Sequence, residues 1–193
     1  MELVVRESFE TKADFKKAWE FFSNPEFIVP CIPGAEIKEI KEDGSFEASV
    51  KLKLGAVSLN FLGSMKYEKL DETNGLMVLS GEGKEKGGAG RAKANIEASL
   101  KREGDALKVY VVATVDISGK ILQYGRGMFE QVAKQYFAQF SQCAKNYLEA
   151  KQESEEEKKM PPKPVELNAL SLFLKALLAW LLTPFKRIFG SKA

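Results

Sequence analysis

The residues able to do chemistry are few. Cys31 lies in the loop Pro30-Cys31-Ile32-Pro33, Cys143 lies among apolar residues at helical spacing, and histidine is absent. Without histidine there is no Ser-His-Asp or Cys-His nucleophile pair. Histidine-held zinc, haem and non-haem iron are excluded as well, and so is the commonest acid/base residue near neutral pH. Two thiols cannot build a four-thiolate cluster. No catalytic residue and no metal ligand is therefore assigned, and an enzyme is not expected. Free cysteine often sits buried as a small apolar side chain, so each thiol is expected to be free and half-buried, with a bond between them the lesser alternative. Low cysteine use suits a reducing compartment. The opening Met1-Glu2-Leu3-Val4-Val5-Arg6-Glu7 has no basic stretch leading into an apolar run, so no secretory signal is expected.

What remains is recognition. Arg126 stands between Gly125 and Gly127; it either meets a ligand carbonyl or partner, or pairs on the surface. Tyr136 either donates to a ligand oxygen or packs with its hydroxyl at a rim. Phe27 and Ile32 flank the Cys-Ile-Pro-Gly loop and are candidates for a cavity lid, whereas Trp19 reads as core. Glycines at 81, 83, 87, 88 and 90 predict a long flexible turn. A glycine-rich loop cradles phosphate when it leads into a helix; this one leads into an alternating strand, so phosphate binding is not expected. Lys and Arg total 29 against 27 Asp and Glu, a net charge of +2, which leaves no basic field for nucleic acid.

The elements that must position these residues follow from periodicity. Residues 2–9 read as a strand. Thr11 or Asp14 caps a helix whose one face holds Phe15, Ala18, Trp19 and Phe22, and Asn24-Pro25 ends it. A second short helix is expected over 25–30. From residue 35 the period becomes two. Phe46, Ala48, Val50, Leu52 and Leu54 form one dry face, and Val57, Leu59, Phe61, Gly63, Met65 and Tyr67 form the next. Residues 75–81 continue less clearly. Ala92, Ala94, Ile96, Ala98 and Leu100 follow, then Val109, Val111, Ala113, Val115 and Ile117. After Gly119 a long amphipathic helix is expected over about 120–148, its stripe holding Leu122, Gly125, Phe129, Val132, Ala133, Tyr136, Phe140, Cys143 and Tyr147. The order is one strand, two short helices, about six strands and one long helix, an α+β arrangement with an antiparallel meander. One helix is narrow for so wide a sheet. Small inward residues (Ala92, Ala94, Ala98, Ala113, Gly63, Gly125) either allow close packing or leave a hollow, and their place on facing elements favours an apolar hollow of the kind that takes small molecules. Its expected lining is Phe27 and Ile32 from the loop and Phe61, Met65, Ala94, Ile96, Val111 and Ala113 from the strands. The helix is expected to add Gly125, Arg126, Phe129, Val132, Tyr136 and Phe140.

The chain divides into a body of residues 1–149, a linker of 150–164 and a tail of 165–193. The linker, with its charges and three prolines, lacks the apolar content to fold. From residue 150 on there are eight basic and five acidic residues, so the tail holds the positive excess and the body nets −1. The apolar run Leu167–Leu182 is 16 residues, about 24 Å as a helix, short of a bilayer core of roughly 30 Å. Asn168, Ser171 and Lys175 occupy one side of that helix. Leu170, Phe173, Leu174, Leu177, Trp180 and Leu181 fill the other, and Phe185, Lys186, Arg187 and Phe189 follow the break at Thr183-Pro184. Such a helix suits the plane of a membrane surface, with the cationic end on the cytoplasmic side; docking on the body or on a partner is the alternative.

Three motifs in order, Phe22–Ile37 (FSNPEFIVPCIPGAEI), Leu54-Gly55 with Phe61-Leu62-Gly63, and Gly119-Lys120-Ile121 with Tyr124-Gly125-Arg126-Gly127, resemble the START-like (SRPBCC) helix-grip superfamily. More narrowly they resemble the CoxG family of carbon monoxide dehydrogenase subunits, over residues 1–149. The resemblance implies a helix-grip fold: a curved antiparallel sheet wrapped on a long C-terminal helix, with a ligand cavity between them. It implies an accessory role beside a molybdenum hydroxylase of the carbon monoxide dehydrogenase type, recruitment of that enzyme to the inner membrane surface, and a bound quinone (menaquinone or ubiquinone) as the cavity ligand. The expectation is a non-catalytic adaptor on the cytoplasmic face of the cell membrane that passes electrons toward the respiratory chain, with an assembly factor lacking a ligand as the alternative. A START-like cyclase or hydrolase would need a polar cluster inside the cavity, and the inward strand positions named above hold no Asp, Glu or Lys.

Overall fold

A computed structural model describes residues 1–55 and 57–150. The tail residues Leu170, Phe173, Leu174, Leu177, Trp180, Leu181, Phe185, Lys186, Arg187 and Phe189 lie outside the described residues. Strand β1 (Glu2–Thr11) is followed by helices α1 (Phe15–Ser23) and α2 (Pro25–Ile28) and a 3-10 turn at Val29–Cys31. Then come β2 (Ala35–Ile40), β3 (Phe46–Leu54), β4 (Val57–Asp71), β5 (Leu76–Glu85), β6 (Arg91–Glu103) and β7 (Ala106–Ser118). A second 3-10 turn at Lys120–Tyr124 leads into α3 (Arg126–Glu149). The seven strands form one antiparallel sheet in the order β1-β7-β6-β5-β4-β3-β2. Strands β2 to β7 are the expected meander. β1 joins its far edge, pairing with β7 from Glu2 opposite Asp116 to Thr11 opposite Leu107, so α1 and α2 carry the chain from one edge of the sheet to the other.

Local chemistry sets the helix ends. Asp14, not Thr11, caps α1: its Oδ1 accepts from the Lys17 backbone N–H at 2.8 Å. Thr11 instead donates to Glu149 Oε1 at 2.9 Å, and the Lys12 N–H donates to the same oxygen at 3.0 Å. The Lys17 ammonium donates to the carbonyls of Leu148 and Ala150, at 2.7 and 3.1 Å, filling acceptors that the end of α3 leaves open. These contacts tie the C-terminal end of α3 to the junction of β1 and α1.

Glycine bends the sheet. Gly63 on β4 faces Gly83 on β5, and a Cβ on Gly63 would sit 2.2 Å from the Glu82 carbonyl oxygen and 2.8 Å from the Gly83 Cα. Only glycine lets the two strands approach so closely there.

Three expectations are corrected. First, Cys31 and Cys143 are joined in a disulfide, their Cα atoms 5.4 Å apart across 112 residues of sequence. The loop carrying Cys31 packs on α3, so two thiols distant in sequence become buried neighbours. Second, the glycine-rich segment is a short turn: β5 and β6 stay paired to Lys84 opposite Arg91. Third, the last helix does not run unbroken from residue 120. Gly125, at φ 76°, separates the 3-10 turn from α3, which rotates Leu122 off the buried stripe and leaves it 37% exposed.

Two packed clusters close the space between sheet and helices. One joins Phe9, Phe21, Phe22, Cys31, Leu107, Val109, Cys143, Ala144 and Leu148. The other joins Leu3, Leu59, Phe61, Ile117, Ile121 and Phe129. Among the described residues no helix is long and apolar enough to cross a membrane.

Candidate ligand cavity

Between the two clusters lies a cavity of about 490 Å³, within the range of roughly 300–1,000 Å³ typical of small-molecule sites. Its floor is the inward phase of the sheet. β6 supplies Ala92, Ala94, Ile96 and Ala98, β7 supplies Val111, Ala113 and Val115, and β3 supplies Phe46, Ala48, Val50 and Leu52. Gly63 and Met65 on β4 and Gly81 and Gly83 on β5 complete it. The middle of α3 is the roof, through Ala133, Tyr136, Phe137 and Phe140. Ile28, Val29 and Ile32 close one side. Alternation places every second strand residue on this face, and alanine or glycine at so many of those places leaves volume that the single roof helix does not fill.

Of the residues expected to line the cavity, nine lie on its wall: Ile32, Phe61, Met65, Ala94, Ile96, Val111, Ala113, Tyr136 and Phe140. Five do not. Phe27 turns toward the packed end and lies over Tyr147, ring centroids 5.4 Å apart. Gly125 sits at the break before α3 with open space around it. Arg126 is exposed, and its Nε donates to Glu130 Oε1 at 2.9 Å, one helical turn on. Phe129 is buried in the second cluster and Val132 packs against that cluster, below the cavity. Phe137, absent from the expected stripe, shares the roof because it lies four residues after Ala133 and three before Phe140 on the same helix face.

The expected lining omits β1, yet Leu3, Val5 and Glu7 all face the cavity. The strand alternates Leu3, Val5, Glu7, Phe9, Thr11 on its inward phase, a signal readable once β1 is known to lie beside β7. Glu7 therefore places a carboxylate on the wall that the inward positions of the other strands lack.

The remaining polar groups are largely occupied. The Tyr136 hydroxyl donates to the Lys51 carbonyl at 3.0 Å, and burial raises its pKa above the ordinary phenol value. Off the wall, packed against the first cluster, the Tyr67 hydroxyl donates to the Phe22 carbonyl at 2.8 Å, and burial raises that phenol strongly. Neither ionises near neutral pH, so both act as hydrogen-bonding groups. Among the described residues no group of three or more Asp, Glu or Cys converges to hold a metal ion. The geometry allows binding of a largely apolar molecule.

Known structures share this architecture at low sequence identity. A conserved protein from Geobacillus kaustophilus matches with a TM-score of 0.67 and 20% identity, covering 76% of this chain and 95% of its own. The Zhui aromatase/cyclase from Streptomyces sp. R1128 matches at 0.55 and 11%, covering 78% and 98%. A START superfamily protein from Mycobacterium smegmatis matches at 0.51 and 16%, covering 76% and 97%. These likenesses establish the START-like helix-grip fold, as the three sequence motifs predict. No curated protein is detectably similar in sequence. The family model for CoxG, a carbon monoxide dehydrogenase subunit, matches residues 8–149. That span runs from the last residues of β1 through the rest of the sheet to the end of α3, and the chain belongs to the carbon monoxide dehydrogenase CoxG family.

Proposed function

We propose that this protein is a non-catalytic accessory protein that carries an apolar ligand for a molybdenum hydroxylase of the carbon monoxide dehydrogenase type. The ligand is a respiratory quinone, menaquinone or ubiquinone, and the tail from residue 165 fastens the protein to the cytoplasmic face of the membrane from which the quinone comes. In this role it helps pass the enzyme's electrons to the respiratory chain. The observation that carries the reading is the apolar cavity of about 490 Å³ in a member of this family. The chain has no histidine and only two cysteines, so an organic carrier is the electron acceptor that its composition best accommodates. Some structural relatives are aromatase/cyclases; a cyclase is disfavoured here because most of the wall is aliphatic and the tyrosine hydroxyl on it is already bonded.

The test is solvent extraction and mass spectrometry of the full chain purified from its own host. A quinone near one per chain is the expected result. A different lipid, or none, would overturn the quinone assignment and favour a recruitment factor. Flotation with anionic lipid vesicles tests the anchor: the full chain is expected to float and a chain ending at residue 164 to stay in the soluble fraction. Equal flotation of both would overturn the anchoring role of residues 165–193.

A further inference from the structure

One carboxylate interrupts the apolar wall. Leu3, Phe9 and Thr11 are buried on the inward phase of β1, and Glu7 sits half-buried between them, facing the cavity. Its register partner on β7 is the cavity residue Val111, and α3 packs against β1. Among the described residues Glu7 makes no hydrogen bond and no ion pair. The next acid on the strand behaves differently: Glu10, on the outward phase, meets Lys108 at 3.7 Å. A half-buried carboxylate that no protein group bonds is free to accept from a ligand donor.

The other polar groups on the wall sharpen what that something is. Tyr136 spends its proton on the Lys51 carbonyl and its oxygen meets the Lys53 backbone N–H, so it has no donor to offer a ligand. Glu82 lies on the outward phase of β5, between Gly81 and Gly83. Ser49 likewise lies on the outward phase of β3, between the cavity residues Ala48 and Val50. The wall is therefore weighted toward acceptors, and it fits a ligand that brings its own donors.

We propose that Glu7 sets the redox preference of the cavity: its carboxylate accepts a hydrogen bond from a ligand hydroxyl, so the site holds the reduced, dihydroxy form of a quinone more tightly than the oxidised, diketo form. This rests on the quinone reading above and names which form that site selects. A hydroquinone carries two O–H donors. A quinone carries only acceptor oxygens, which a carboxylate repels. A hydrogen bond to a charged acceptor corresponds to a preference of about tenfold to a hundredfold.

The test uses the delipidated full chain and a short-tailed naphthoquinone, titrated by calorimetry under anaerobic conditions in its oxidised and its chemically reduced form. Wild type is expected to bind the reduced form about tenfold or more tightly. Glu7→Gln, which keeps the shape and can donate through its amide, is expected to bring the two forms within about threefold, mainly by weakening the reduced form. Glu7→Leu is expected to lose the preference while keeping or improving affinity for the oxidised form. Equal affinities in wild type, or a preference that survives in Glu7→Gln, would overturn the role of Glu7 and leave the quinone reading standing. If neither form binds wild type, the quinone reading itself fails and the inference falls with it. Thermal unfolding of each variant identifies any loss that comes from misfolding, and the near-isosteric Gln variant decides the matter if the Leu variant unfolds.

Discussion

The two ends of the space beneath α3 are built from the same strands yet differ in what they enclose. On β7, Leu107 and Val109 are buried in the packed end, whereas Val111, Ala113 and Val115 two to six residues further on line the hollow. On β6, Leu100 belongs to the packed end, and Ala94 and Ala92 belong to the hollow. The helix divides the same way: Ala144 and Leu148 are sealed, while Tyr136, Phe137 and Phe140 face open volume. The apolar pattern is continuous through both. The difference is side-chain volume: the packed end has phenylalanines meeting phenylalanines, with Phe21 and Phe22 edge to face at 5.0 Å, and the hollow has alanine and glycine opposite a single helix. A cavity in this fold is a region where the inward residues are too small to meet, held open by ends that are fully packed.

That contrast can be broken or sharpened by substitution, and the largest effect is expected at the packed end. Phe21→Ala removes a ring that is 0% exposed and sits 5.1 Å from Tyr147; it should destabilise the protein by about 3–5 kcal/mol, read by urea unfolding. Next comes the covalent tie at the same end. Because the bridge spans 112 residues, Cys143→Ser should cost about 2–5 kcal/mol, and the intact oxidised chain should weigh two hydrogens less than the reduced one by mass spectrometry. In the hollow the order of effects should reverse. Ala113→Phe should change stability by less than about 1 kcal/mol, because it fills existing space instead of displacing neighbours, while ligand affinity falls tenfold or more. A loss of stability as large as that of Phe21→Ala would mean that the hollow is not there in solution.

The smallest effect concerns the seam that closes the packed end. The backbone N–H of Lys12 and the hydroxyl of Thr11 hold the Glu149 carboxyl below its ordinary value. A carboxylate lowered in the folded state stabilises the protein above its unfolded value, 4.5 here. That contribution fades as pH falls through the lowered folded value. Glu149→Gln should therefore lose under about 1 kcal/mol at neutral pH, a modest figure because water screens an exposed carboxylate, and its unfolding curve should converge with wild type in acid.

Much of this was legible from residues alone. Alternation marked β3, β4, β6 and β7, because a half-buried strand must put every second side chain in the core. The small residues on facing strands pointed to a hollow, since volume is a property of residue type. Other features were hidden for identifiable reasons. Glu7 was not among the expected lining residues, because which face of a strand is inward depends on its neighbours. The helix stripe included Leu122, because the phase of a helix depends on where it starts and Gly125 restarts it, and it passed over Phe137, which widens the same inward face. The absence of histidine, the alternating strands and the inventory of small inward residues were thus determined by the sequence by itself. The pairing of β1 with β7, the meeting of Cys31 with Cys143 and the placing of one carboxylate on an apolar wall were decided only by the tertiary structure, because each depends on bringing together segments about a hundred residues apart, and local periodicity carries no information about such distances.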